Sequence, residues 1–147
     1  MIVDASLVID AVADAGPRGQ AARDALAGHP ALEPLVAPGH FAFELMSGLR
    51  AAALRPGHPF QADDIEQALA DAESFEIVVE GTPWVDVHRA WKLAEASVRY
   101  ADAVYVAAAE RHGYALLTSD ARIARSGAPM RCEVVTVAPA TGESPPS

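Results

Sequence analysis

Four acids in this chain have the type and placement to do chemistry: Asp4, Glu44, Asp102 and Asp120. Asp4 directly follows the apolar pair Ile2-Val3, and Asp120 follows Leu116-Leu117-Thr118 by two residues. Asp102 starts one helical stretch and Glu44 lies one turn into another. Taken singly, most have a plain structural explanation. Asp102 and Asp120 read as helix N-caps, whose oxygens accept the orphan amide hydrogens of a first turn. Glu44 alone reads as part of a solvated face. Asp4 is harder to dismiss, because a carboxylate at the end of a buried strand is costly unless paired or liganded. As a set at one rim, the four would repel and some would take up protons. A hard divalent cation removes that conflict, and oxygen-only donors favour Mg2+ or Mn2+ over zinc. One or two such ions, about 3.5–4 Å apart, would acidify a water and offset charge on a phosphate undergoing hydrolysis. A carboxylate left free of metal, Glu44 or Asp120, could orient or deprotonate that water.

Other chemistries have less support. The histidines at 29, 40, 58, 88 and 112 are scattered and lack zinc-site spacing. Cys132 is the only cysteine, which excludes a disulfide framework. There is no G-x-x-x-x-G-K-[ST] loop, no G-x-G-x-x-G and no G-x-S-x-G elbow. An Asp after the first strand also suits an aspartate-based phosphatase or a phospho-accepting receiver. The phosphatase pattern wants a second Asp where this chain has Ser6, and the only lysine for either is Lys92. The 11 basic and 20 acidic residues give a net charge of -9, unlike a general nucleic-acid coat. Ligated cations would locally reverse that charge, and Arg is suited to planar phosphate recognition. The acidity also fits a basic partner segment laid into an acidic groove, so a binding module with weak or no catalysis is the second reading.

The length of 147 residues suits one domain. A short strand at 2–3 leads into a helix at 5–13, with Leu7, Val8, Ala11 and Val12 on one face. Gly16-Pro17 breaks it before a helix at 18–27. A strand at 34–37 is followed by a helix at 40–54, a loop at 55–59 and a helix at 61–72. A strand at 75–79 precedes a helix at 84–97, with Pro83 in the favoured first position. The helix that Asp102 starts stops at His112-Gly113. A strand at 115–118, a short helix after Asp120 and a strand at 133–137 complete the order. Short, continuously apolar strands alternating with helices predict an α/β fold with a mostly parallel sheet covered on both faces. In such sheets ligands bind beyond the carboxyl ends of the strands, where Asp4 and Asp120 fall. A single domain over 1–137 is expected, and the Pro/Ser-rich tail at 138–147 is expected to be disordered. The N-terminal stretch carries three Asp and no basic leader, and no run approaches the roughly 18 apolar residues of a membrane span. A cytoplasmic protein with no membrane contact is expected.

Ile2-Val3-Asp4-Ala5-Ser6, Phe43-Glu44-Leu45, the run from Tyr100 to Ala107 and Leu116-Leu117-Thr118-Ser119-Asp120 resemble, in order and spacing, the PIN-domain toxins of bacterial toxin–antitoxin pairs, the VapC group. Ala90-Trp91-Lys92-Leu93-Ala94 resembles that family's helix ahead of the Asp102 segment. The resemblance spans residues 1–137. It implies a three-layer α/β/α domain with about five parallel strands, Mg2+ or Mn2+ as cofactor, and hydrolysis of RNA. It also implies a homodimer and a cognate antitoxin, with the helices at 5–13 and 40–73 as partner surfaces. The metal-binding and catalytic roles carry over to Asp4, Glu44, Asp102 and Asp120. Ser6 and Thr118 match positions whose hydroxyls support the acids. Where the family often has Asn after the helix glutamate, this chain has Ser47. Arg50, Arg55, Arg99 and Arg122 are the arginines expected to grip RNA.

Overall fold

The computed structural model describes residues 1–141. Five parallel strands form one sheet: β1 (Ile2–Val3), β2 (Val36–Pro38), β3 (Val78–Glu80), β4 (Leu116–Thr118) and β5 (Val134–Thr136), in the order β3-β2-β1-β4-β5. Side chains alternate across a strand, and here the alternation builds two cores. Ile2, Val36 and Leu116 face α5 (Trp84–Glu95), α6 (Tyr100–His112) and α7 (Ala121–Arg125). Val3, Ala37 and Leu117 face α1 (Ala5–Ala13), α2 (Pro17–Ala27), α3 (Phe41–Leu54) and α4 (Ile65–Glu73). The result is the expected three-layer α/β/α arrangement. The three central strands, β2, β1 and β4, are buried on both faces, which is why they read as continuously apolar, while the edge strand β3 is partly exposed.

The topology makes the site. β1 is central, and the chain leaves it towards β2 on one side and reaches β4 on the other. Connections leaving in opposite directions open a crevice at the carboxyl ends of β1 and β4. Register then sets Asp4 beside Thr118: Val3 pairs with Leu117, and the Asp4 amide donates to the Leu117 carbonyl at 3.0 Å.

Several boundaries differ from the sequence expectation. The strand expected at 75–79 forms at Val78–Glu80, because Glu76 takes a left-handed φ of 56° to turn out of α4. The helix expected over 84–97 ends at Glu95, and Ser97 is left-handed, with φ 79°. Pro83 occupies the cap of α5 rather than its first turn. The helix expected over 61–72 splits into a 3-10 turn at Ala62–Asp64 and α4, the turn held by reciprocal Gln61 and Asp64 capping. α6 begins at Tyr100 with Arg99 as its cap residue, so Asp102 is a first-turn residue rather than an N-cap. Of the expected tail, residues 138–141 form no regular element and 142–147 lie outside the described residues.

Candidate active site

Asp4 is the centre of the rim. It caps α1, and its carboxylate is only 4% exposed. Thr118 Oγ1 donates to its Oδ2 at 2.6 Å and Ser6 Oγ donates to the same oxygen at 2.9 Å. The Ser6 amide donates to Oδ1 at 3.3 Å. Burial pushes the Asp4 pKa up; the Thr118 and Ser6 donors pull it back, and the nearby charge of Asp102 adds to the rise. The two hydroxyls therefore offset part of the cost of ionising a carboxylate in this position. Thr118 also relays the arrangement outward, since its hydroxyl accepts from the Asp120 amide at 3.0 Å.

Asp102 is buried in the first turn of α6. Arg99, one turn earlier, donates from Nε to Asp102 Oδ2 at 3.0 Å, and its Nη2 lies 3.7 Å from Asp120 Oδ2. Asp120 caps α7, accepting from the Arg122 amide at 2.9 Å, and its Oδ2 takes the Arg122 guanidinium at 2.7 Å. The Arg122 contact is the chief reason its carboxyl sits below the ordinary carboxylate range.

Glu44 lies in the first turn of α3. Its Oε1 is buried and accepts no hydrogen bond. His40 Nε2 lies 3.3 Å away, but that N–H is donated to the Ala101 carbonyl at 2.9 Å. Leaving a buried carboxylate oxygen without a donor costs about 1–3 kcal/mol or more, and such an orphaned atom calls for an explanation, a bound ion being one; Ser119 Oγ is the other such atom among the described residues. Tyr105 completes the floor. It is fully buried, and its hydroxyl accepts from the Ala5 amide at 3.3 Å. Burial first, then the charges of Asp4 and Glu44, push its pKa up.

The four sequence-predicted acids thus sit around shared neighbours. Asp4 and Asp102 feel each other's charge, Arg99 spans Asp102 and Asp120, and Tyr105 stands between Asp4 and Glu44. Among the described residues, no three His, Cys, Asp or Glu side chains are drawn into a ready metal cage. The guanidinium groups of Arg99 and Arg122 supply the positive charge instead. The donor set still fits a hard divalent cation in its chemistry: all oxygen, two carboxylates buried, and one oxygen at Glu44 with nothing bound to it. Of the four arginines named from the sequence, Arg99 and Arg122 reach this rim. Arg50 and Arg55 lie exposed on and after α3 and form no ion pair among the described residues. Ser47 is exposed. His40 and Tyr105 were not singled out from the sequence. The only signal was Tyr105 one turn after Asp102 in an apolar helix, and His40 one turn before Glu44.

A family model described as the PIN domain matches residues 1–128. Ribonuclease VapC3 of Mycobacterium tuberculosis is 32% identical to the chain over 130 residues, 86% of each protein. Among solved structures, M. tuberculosis VapC20, described as a sarcin–ricin loop cleaving toxin, aligns with a TM-score of 0.63 at 20% identity, over 86% of this chain and 95% of that one. A toxin–antitoxin complex from Klebsiella pneumoniae aligns with a TM-score of 0.64 at 20% identity, over 92% and 95%.

Proposed function

The chain belongs to the PIN-domain family, within its VapC group, and from that premise we propose that it is an endoribonuclease toxin that hydrolyses RNA phosphodiester bonds at the Asp4–Glu44–Asp102–Asp120 rim. The observation that carries the reading is a buried Asp4 whose carboxylate accepts from Thr118 and Ser6, beside a buried Glu44 oxygen that lacks a donor. A fold maintains such an arrangement at a cost to itself, and perturbed carboxylates in a crevice are the usual sign of a working site. Asp4, Asp102 and Glu44 would hold Mg2+ or Mn2+, with Asp120 as the fourth candidate ligand. When bound, a divalent ion supplies the acidification of water and the neutralisation of phosphate charge. Asp120 is kept ionised by Arg122 and is suited to orient the attacking water or accept its proton. Arg99 and Arg122 stand where an RNA phosphate would meet them, and Arg50 and Arg55 extend the same role along α3.

The proposal includes a cognate antitoxin. A hollow of about 400 Å³ between α1, α2 and α4 is lined by apolar residues including Val12, Phe60 and Ala68 and by Asp14, Asp64 and Asp71, with Arg23 as its one basic residue. That combination suits an amphipathic basic segment. It also includes a homodimer, for which exposed Phe43 and Met46 on α3 and Trp84, Val85 and Trp91 on α5 offer apolar surface. The location proposed is the cytoplasm; among the described residues no helix is long and apolar enough to cross a membrane.

The occupation of Asp102 and Asp120 by arginines favours one alternative, a binding module that has lost most of its catalysis. The phosphatase or receiver reading has less support, since Lys92 is exposed on α5 and pairs with none of the four acids. The test is cleavage of total cellular RNA by wild type and Asp4→Asn, with Mg2+, with Mn2+ and with EDTA. Cuts that need metal and fall at least a hundredfold in a folded Asp4→Asn protein are expected. Equal cutting by the two proteins refutes the site, and no metal-dependent cut by either leaves the binding module.

A further inference from the structure

Three of the four acids sit on separate elements: Asp4 at the head of α1, Glu44 in α3 and Asp102 in α6. Something must hold these helix starts at a common spacing, and among the described residues one pair of side chains touches all three. His40 donates its Nε2 hydrogen to the carbonyl of Ala101, the residue before Asp102, and the same nitrogen lies 3.3 Å from Glu44 Oε1. The His40 ring packs on the Tyr105 ring, with centroids 4.6 Å apart. The Tyr105 hydroxyl accepts from the amide of Ala5, the residue after Asp4. The pair therefore ends on the backbone immediately beside two acids and on the side chain of the third.

We propose that His40 and Tyr105 are positioning residues which set the separation of Asp4, Glu44 and Asp102, and that their loss weakens divalent-cation binding without unfolding the domain. The proposal rests on the metal-dependent reading above. The geometry explains why Glu44 Oε1 stays buried and unsatisfied. His40 crowds it, but spends its Nε2 hydrogen on Ala101, so the oxygen is held in place and left without a donor. Both residues act through the acids. Because each also packs, a stability readout alone cannot distinguish positioning from filling space. Cation affinity can, since small misplacements of supporting groups cost affinity at a metal site.

The experiment is titration calorimetry of Mn2+ alone into full-length wild type, Tyr105→Phe, His40→Ala, His40→Gln and Glu44→Gln, each well below its own unfolding temperature and checked by circular dichroism. Tyr105→Phe keeps the ring and loses one hydroxyl. His40→Gln keeps a nitrogen donor at the reach of Nε2. Tyr105→Phe and His40→Ala should weaken Mn2+ binding about tenfold, the lower end of the effect of losing a metal-supporting partner. His40→Gln should restore most of the loss. His40→Ala added to Glu44→Gln should cost less than His40→Ala does alone, because part of the effect of His40 passes through Glu44 and the rest through Ala101. Wild-type affinity in Tyr105→Phe and His40→Ala overturns the proposal, as does a Gln variant no better than Ala. If wild type itself binds no Mn2+, the metal-dependent reading fails and this proposal with it; if only the variants behave as wild type, the positioning role alone fails.

Discussion

Replacing Thr118 by Val tests the account of Asp4 most directly. The two side chains are nearly isosteric, so the buried volume is kept while one hydroxyl is lost. That hydroxyl donates to Asp4 Oδ2 at 2.6 Å and accepts from the Asp120 amide at 3.0 Å. A hydrogen bond to a charged acceptor is worth about 1.5–3 kcal/mol, against about 0.5–1.5 kcal/mol for a neutral one. For a domain of this size each kcal/mol moves Tm by about 2–4 °C. Losing both bonds costs about 2–4.5 kcal/mol if Asp4 is ionised, so Thr118→Val at pH 7 without metal should lower Tm by about 4–18 °C. The pH dependence carries the sharper test. Burial raises the Asp4 pKa in the fold above its ordinary value of 3.8. The folded state then binds the proton more tightly than the unfolded chain, so this group's contribution is most favourable below 3.8 and falls as pH rises through the folded value. Removing Thr118 takes away a donor that favours the charged form, which raises the folded pKa further and deepens that fall. The penalty of the substitution should be small at low pH, where Asp4 is neutral, and grow as pH climbs through its folded pKa. Paired urea unfolding curves of the two proteins in EDTA, from pH 4 to 7.5, measure it. A penalty that stays flat across that range, or is absent at pH 7, would refute the claim that Thr118 favours the charged form of Asp4.

Two further outcomes follow from distances already given. Arg99 is 61% exposed as it spans Asp102 and Asp120, so its ion pairs are weak ones, worth up to about 1 kcal/mol. Arg99→Gln should tighten Mn2+ binding by about two- to fivefold in calorimetry, whereas weaker binding would mean that Arg99 holds Asp102 in its ligating position. Gly19 packs α2 on the end of α1 so closely that a Cβ there would lie 1.7 Å from the Asp14 carbonyl oxygen. Gly19→Ala should cost about 1–3 kcal/mol by overpacking and lower Tm accordingly, and an unchanged melting curve would refute a tight α1–α2 junction at this residue.

The rim could be read from the sequence because two of its acids are tied to strands. Ile2-Val3 and Leu116-Leu117-Thr118 announce buried parallel strands by their unbroken apolar character, and anything following them must emerge at the carboxyl edge. Asp4 and Asp120 needed no more than that. Glu44 could not be read this way. Helical periodicity puts it beside Leu45 on a face that looks wet; the residue is half-buried, and its covered Oε1 lies against His40, with Tyr105, some sixty residues on in another element, also near it. Arg99 is a similar case. Its type suggested phosphate, but its partners in the fold are Asp102 and Asp120, a pairing that follows from where α6 starts. The shift of β3 to Val78–Glu80 turns on one left-handed residue, Glu76, and glutamate carries no signal for that conformation.

The two tryptophans of the chain, Trp84 and Trp91, both ride on α5 and are 77% and 56% exposed. Their indoles are already wet in the folded protein. Unfolding therefore changes the surroundings of Trp84 little and acts on Trp91 mainly by removing its stack on the Tyr100 ring, 5.7 Å away. Covering α5 would dry both at once. A blue shift on adding a partner, or on raising the protein's own concentration, would report contact at that helix with no label attached.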